Sequence, residues 1–135
     1  MSAAVRPFVD TNVLLYLLSC DAAKADRAEA LLAARIVISV QVLNEFANVA
    51  RRKLRLEWAE IGQALLDVRR FAEVRPLTLE THVRGLALAE RYQLSVYDAM
   101  IAAAALEAGC RTLASEDFSA GQRLEGRLTI RNPFV

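Results

Sequence analysis

Short β-branched runs alternate with longer helical segments along this chain, and that alternation most narrows the folds open to it. "RPFVD" (6–10), "RIVIS" (35–39), "EVRPL" (73–77), "CRTLA" (110–114) and "RLTIR" (127–131) are too short for helices and read as strands. "TNVLLYLLS" turns helical after the first, and residues 22–34, 40–53, 57–72, 79–92 and 96–108 carry apolar positions at helical spacing. Ser39 is placed to cap the helix over 40–53, and Gly109 is placed just past the end of the last helix. Pro76 points the third strand to a sheet edge. Strands separated by helices predict an α/β fold: a three-layer α/β/α domain with a mainly parallel sheet of about five strands.

The 135 residues suit one domain over 1–135, and a 55% hydrophobic content suffices for its core. A net charge of +1 neither requires nor opposes a polyanionic partner, so any nucleic-acid contact has to be a local patch. The N-terminal apolar run is broken by Asp10 and Asn12 and lacks the form of a secretory signal, and no apolar stretch reaches membrane-spanning length. Cys20 and Cys110 form no CxxC pair and read as small buried hydrophobes in a reduced cytosol, which places the chain in the cytoplasm with no membrane partner.

Open parallel sheets gather their sites beyond the carboxyl ends of the strands. Four separated segments bring acids there. Asp10 ends the first strand, and Glu45 lies in the second turn of the helix after the second. Asp98 starts the helix before the fourth strand, and Glu116 and Asp117 follow that strand. Carboxylates that converge repel unless a cation or a shared proton relieves them. An oxygen-only donor set suits Mg²⁺ or Mn²⁺, and one His with no paired Cys argues against a zinc site. A cation so held promotes phosphodiester hydrolysis. Each acid also has a plainer explanation. Asp10 caps the following helix, Asp98 completes S-x-x-D with Ser95, Glu45 faces solvent beside Asn48 and Arg52, and Asp117 belongs to the turn "SEDFSAG".

The blocks "FVDTNVLLYLL", "ISVQVLNEFANVARRK", "LSVYDAMIAAAALEAGCRTLASEDFSAGQ" and "IRNPF" resemble the PIN-domain ribonucleases, specifically the VapC-type toxins of bacterial toxin–antitoxin modules. The resemblance covers nearly the whole chain, with residues 54–80 matching mainly in helical character. It implies Asp10, Asp98 and Asp117 as metal ligands, Glu45 as a further catalytic acid, and Thr11, Asn12 and Ser115 as polar residues lining the site. Glu116 competes with Asp117 for the fourth acidic position. The resemblance further implies Mg²⁺- or Mn²⁺-dependent cleavage of tRNA or ribosomal RNA, inhibition of translation, a homodimer, and a cognate VapB-type antitoxin that lays a tail across the groove.

Arg51 and Arg52, in a basic cluster with Lys53 and Arg55, and Arg69 and Arg70 closing the next helix are candidate phosphate contacts beside their ordinary role at a helix C-terminus. Trp58, Ile61 and Leu65 form an apolar stripe that reads as core, with a groove for the antitoxin as the alternative. His82 reads as a surface residue with no catalytic part. Three rivals stand beside the toxin. A haloacid-dehalogenase-type phosphatase needs an acid where Asn12 stands. A non-catalytic α/β scaffold would use its acids only as caps. A PIN nuclease of RNA processing shares the fold without the antitoxin.

Overall fold

The β-branched run Ile36–Ser39 forms a strand with all four residues buried, as expected of an interior strand covered on both faces. In the computed structural model, which describes residues 6–135, it is β2 of one six-stranded sheet. The others are β1 (Phe8–Val9), β3 (Ala72–Arg75), β4 (Thr112–Ala114), β5 (Arg123–Leu124) and β6 (Leu128–Arg131). The spatial order is β3-β2-β1-β4-β6-β5, with every pair parallel except β5 with β6. Residues 1–5 of the expected domain lie outside the described residues.

The helices are α1 (Thr11–Leu14), continued by a 3₁₀ turn (Leu15–Leu18), then α2 (Ala22–Ala33), α3 (Val40–Arg52), α4 (Trp58–Phe71), α5 (Leu79–Tyr92) and α6 (Val96–Glu107). Six strands replace the expected five. The extra one, β5, is a two-residue strand that folds back on β6, and its sequence carries no alternation long enough to mark it. β3 is at an edge, and Pro76 follows it directly, so the imide removes no ladder bond.

Gly109 follows α6 with φ +76°, the left-handed conformation that glycine adopts without strain, and so turns the chain into β4. Ser39 holds the N-cap position of α3 with extended backbone, but its hydroxyl makes no capping bond and is buried without a partner. Cys110 is buried as expected, and burial pushes its thiol up to about 11. Cys20 is not: it lies exposed between the 3₁₀ turn and α2, where no element covers it. No helix among the described residues is long and apolar enough to cross a membrane.

From Ala99 to Leu106, α6 is buried on every side. Its run of small residues lets α5 approach closely. A Cβ added at Gly85 of α5 would lie 2.5 Å from Met100 Sδ and 3.5 Å from Met100 Cα. Gly85 is therefore a packing requirement of the helix pair. Gly85→Val is expected to lower the unfolding free energy by about 1–3 kcal/mol, because a branched side chain has to displace α6 backbone as well as the methionine tip. Gly85→Ala is expected to cost less, since the Met100 side chain can swing and alanine favours the helix. Denaturant titration checks both; a Val variant as stable as the parent would show that the helices are not in close contact there.

Candidate active site

Two neighbouring parallel strands set the site. The chain adds β2 and β3 on one side of β1, then places β4 on the other, so β1 and β4 flank the point where strand order reverses. Crevices open outside the carboxyl ends at such points. Asp10 follows β1, with its N–H donating to Ala114 O at 2.9 Å, and Ser115–Asp117 follow β4. α6 starts at this same edge and delivers Asp98 from its first turn.

These segments bring Asp10, Asp98 and Asp117 together: one carboxylate oxygen from each lies within 4.8 Å of the others. Asp10 is buried, Asp98 half-buried and Asp117 exposed, so the cluster grades from floor to rim. Asp10 accepts the Thr11 N–H on Oδ1 and the Ser115 hydroxyl on Oδ2, both at 2.7 Å, with Asn12 Nδ2 at 3.5 Å. Ser115 Oγ also accepts the Asp117 N–H at 3.0 Å and Asn12 Nδ2 at 3.4 Å. Asn12 Oδ1 in turn accepts the Glu116 N–H at 3.2 Å. One hydroxyl and one amide thus fix the floor acid and the loop that carries the rim acid.

Burial, against the Ser115 and Thr11 hydrogen bonds and with the negative charge of Asp117 and Asp98 adding to it, raises the Asp10 pKa to about 7. Asp98 is raised as well, by burial and then by the Asp117 charge. The donor set fits a hard divalent cation: three oxygen ligands converge, and the buried one holds its charge at a cost that a cation would relieve.

The plainer roles are partly real. Asp10 does cap α1. For α6, Ser95 does the capping, its Oγ accepting the Asp98 N–H at 3.2 Å, while the Asp98 carboxylate joins the cluster. Glu45 is half-buried and stands outside the trio, its Oε1 accepting the Thr11 hydroxyl at 2.8 Å. Glu116 turns to the Tyr16 hydroxyl, which donates to it at 2.8 Å, and Asp117 takes the inward place. Tyr16 escaped the sequence reading because a tyrosine within an apolar helical run carries no spacing signal. Lys24 lies over the Tyr16 ring, 4.8 Å from its centroid.

The basic pair is not gathered with the acids. Arg51 donates to Leu56 O at 3.0 Å and covers the Trp58 ring at 5.0 Å, and Arg52 is exposed at the last turn of α3. Of the expected core stripe, Ile61 is buried and Leu65 half-buried, but Trp58 is 63% exposed, with that guanidinium over its ring. His82 is exposed.

Residues 8–120 match the family model described as "PIN domain". The chain belongs to the PIN-domain family. Its fold is shared with the Mycobacterium tuberculosis toxin VapC20, a sarcin–ricin loop cleaving toxin (TM-score 0.68, 23% identity, 89% of this chain and 98% of that one). It is likewise shared with a toxin–antitoxin complex from Klebsiella pneumoniae (TM-score 0.71, 20% identity, 94% and 97%). A third match is VapBC2 of Rickettsia felis, solved with a DNA fragment of its promoter (TM-score 0.67, 18% identity, 95% and 100%). No curated protein matches the sequence.

For this PIN domain the raised acids predict a pH dependence in the absence of cations. The folded Asp10 holds its proton up to about 7, against 3.8 unfolded, so the stability it contributes is fully present below about 4 and is lost as pH rises through about 7. Melts in EDTA should therefore fall between those limits. Mg²⁺ should raise the melt most at the upper end. Asp10→Asn should flatten both effects; a parent chain with no loss of stability over that window would show that Asp10 is not held protonated.

Proposed function

We propose that this chain is a divalent-metal-dependent endoribonuclease toxin of the VapC type, acting on tRNA or ribosomal RNA in the cytoplasm until an antitoxin neutralises it. The carrying observation is the convergence of Asp10, Asp98 and Asp117 from three separated segments onto one crevice, with the innermost buried. Membership of the PIN-domain family and the toxins among its structural neighbours support the reading.

Asp10, Asp98 and Asp117 would hold the cation, Mg²⁺ or Mn²⁺. When bound, it supplies Lewis-acid polarisation of a phosphodiester and a water of lowered pKa. The remaining work falls to the chain itself. Ser115 and the Thr11 N–H hold both oxygens of Asp10, so its carboxylate need not reorganise during reaction. Glu45, oriented by the Thr11 hydroxyl, is the carboxylate left to accept a proton from the attacking water. Asn12 ties the Asp10 floor to the Glu116 backbone and keeps the two strand ends in register. Since Arg51 is engaged within the chain, Arg52 is the member of the expected pair left to meet a phosphate.

A basic antitoxin tail suits the same crevice, because a guanidinium can pair with the carboxylates in place of a cation. An apolar groove of about 750 Å³ lined by Leu18, Leu54, Leu56 and Ala64, with Glu60 and Asp67 at its polar margin, offers that partner a seat. Leu79, Val83 and Leu86 on α5, with Val96 and Tyr97 on α6, are exposed and supply an apolar face for a homodimer.

Labelled tRNA and ribosomal RNA, incubated with the parent or with Asp98→Asn in Mg²⁺ or EDTA, test this directly. Cleavage by the parent in Mg²⁺ alone is expected, with at least a hundredfold loss (~3 kcal/mol of barrier) in the variant. The amide keeps the Ser95 cap but is a poorer metal ligand, so equal cleavage by two folded proteins would remove the metal role. Absence of cleavage of any RNA by the folded parent in Mg²⁺ would remove the nuclease.

A further inference from the structure

Arg111, Arg123 and Arg127 line one cavity of about 490 Å³, floored by Leu106 and Cys110. It lies where α6 ends, against the β5–β6 hairpin. Arg111 precedes β4 whereas Asp117 follows it, so the cavity sits at the opposite edge of the sheet from the acids. No carboxylate is among its lining residues.

Three guanidiniums in one cavity repel each other unless an anion intervenes. Elsewhere the chain supplies that anion itself: Arg75 faces Glu73, Arg84 lies by Glu80 and Glu107, and Arg91 by Glu125. Among the described residues, the side chains of Arg111, Arg123 and Arg127 make no ion pair, hydrogen bond or ring contact. Glu125 stands between two of them in sequence and is the acid best placed to serve them. It is turned away instead, accepting Arg91 Nη1 at 2.9 Å and the Tyr92 hydroxyl at 2.7 Å.

The hairpin carries this surface towards the acids. Arg123 is in register with Thr129, so the two share a face of the sheet, and Arg131, two residues along β6, shares it as well. Arg131 is exposed and in register with Ala114, the residue before Ser115, whose N–H donates to Arg131 O at 2.9 Å. Planar guanidinium forks match phosphate oxygens in pairs.

We propose that Arg111, Arg123 and Arg127 form a second binding site, for the phosphates of an RNA strand, and that Arg131 leads that strand along the β5–β6 edge to the acids. The identity of the polyanion rests on the nuclease reading; the anion chemistry of the cavity rests on the arginines alone. The strand touches the protein at both edges of the sheet, which makes affinity depend on RNA that extends beyond the cleaved bond.

Anisotropy of a fluorescent single-stranded RNA oligonucleotide, read in EDTA over a range of salt, tests the site without cleavage. The proteins are the parent, Arg123→Gln/Arg127→Gln, and Arg27→Gln/Arg35→Gln as an equal loss of charge at exposed positions outside the hairpin. All four side chains are exposed, so the fold is expected to survive, and melting curves check that. The hairpin variant should bind several-fold more weakly, with a log–log salt slope shallower by about 0.7 for each phosphate that it no longer neutralises, while the reference pair keeps the parent's slope. Equal affinity and slope for the hairpin variant and the parent would overturn the site. Arginine-dependent binding of inorganic phosphate, seen by NMR in a chain that binds no RNA, would overturn its assignment to an RNA strand. A chain that binds RNA through these arginines but cuts neither the oligonucleotide nor tRNA nor ribosomal RNA in Mg²⁺ would refute the nuclease reading and support this one.

Discussion

The Asp10 carboxylate, buried where two parallel strands part, is the constraint on which the site depends. It cannot leave the floor of the crevice, because its own N–H is bonded to Ala114 O in the neighbouring strand and its oxygens are bonded to Ser115 and Thr11. It cannot comfortably hold its charge there either, and burial raises it to about 7. Two further acids aimed at the same point make the conflict worse. An arrangement that pits charge against burial at one point is stable when a cation is the missing partner, and it explains why the polar residues around it, Thr11, Asn12 and Ser115, all serve to hold carboxylates in position.

The two ends of β4 carry opposite charge. The carboxyl edge carries Asp10, Asp98 and Asp117, while the opposite edge carries the arginines that precede β4 and turn the β5–β6 hairpin. The net charge of +1, a sum over the whole chain, carries no trace of this. Such a layout suits the proposed binding of a polyanion near a cluster of acids.

Much of this was legible in the sequence. The alternation of β-branched runs with helices fixed the parallel sheet, and Gly109 and Pro76 marked where α6 and β3 end. The placement of acids after strands pointed at one edge, because in a parallel sheet every strand ends on the same side. The illegible parts share a cause. β5 is two residues long and exists only by pairing with β6. The choice between Glu116 and Asp117 turns on the Tyr16 hydroxyl, 100 residues away in the chain. Trp58 has the spacing of a core residue but stays largely exposed, and Cys20 has apolar character but lies in a loop. Periodicity reports which residues suit burial; it does not report which surfaces the tertiary structure leaves open.

A cation that completes the charge balance around Asp10 must displace the proton held there. Calorimetric titration of Mn²⁺ into the parent near pH 6, repeated in buffers of different ionisation enthalpy, counts the protons released on binding. Binding is expected to release roughly one proton, since Asp10 must lose the proton it holds below about 7, with the release vanishing above about pH 8 and absent in Asp10→Asn. Mn²⁺ binding with no proton release, or undiminished binding by Asp10→Asn, would contradict it.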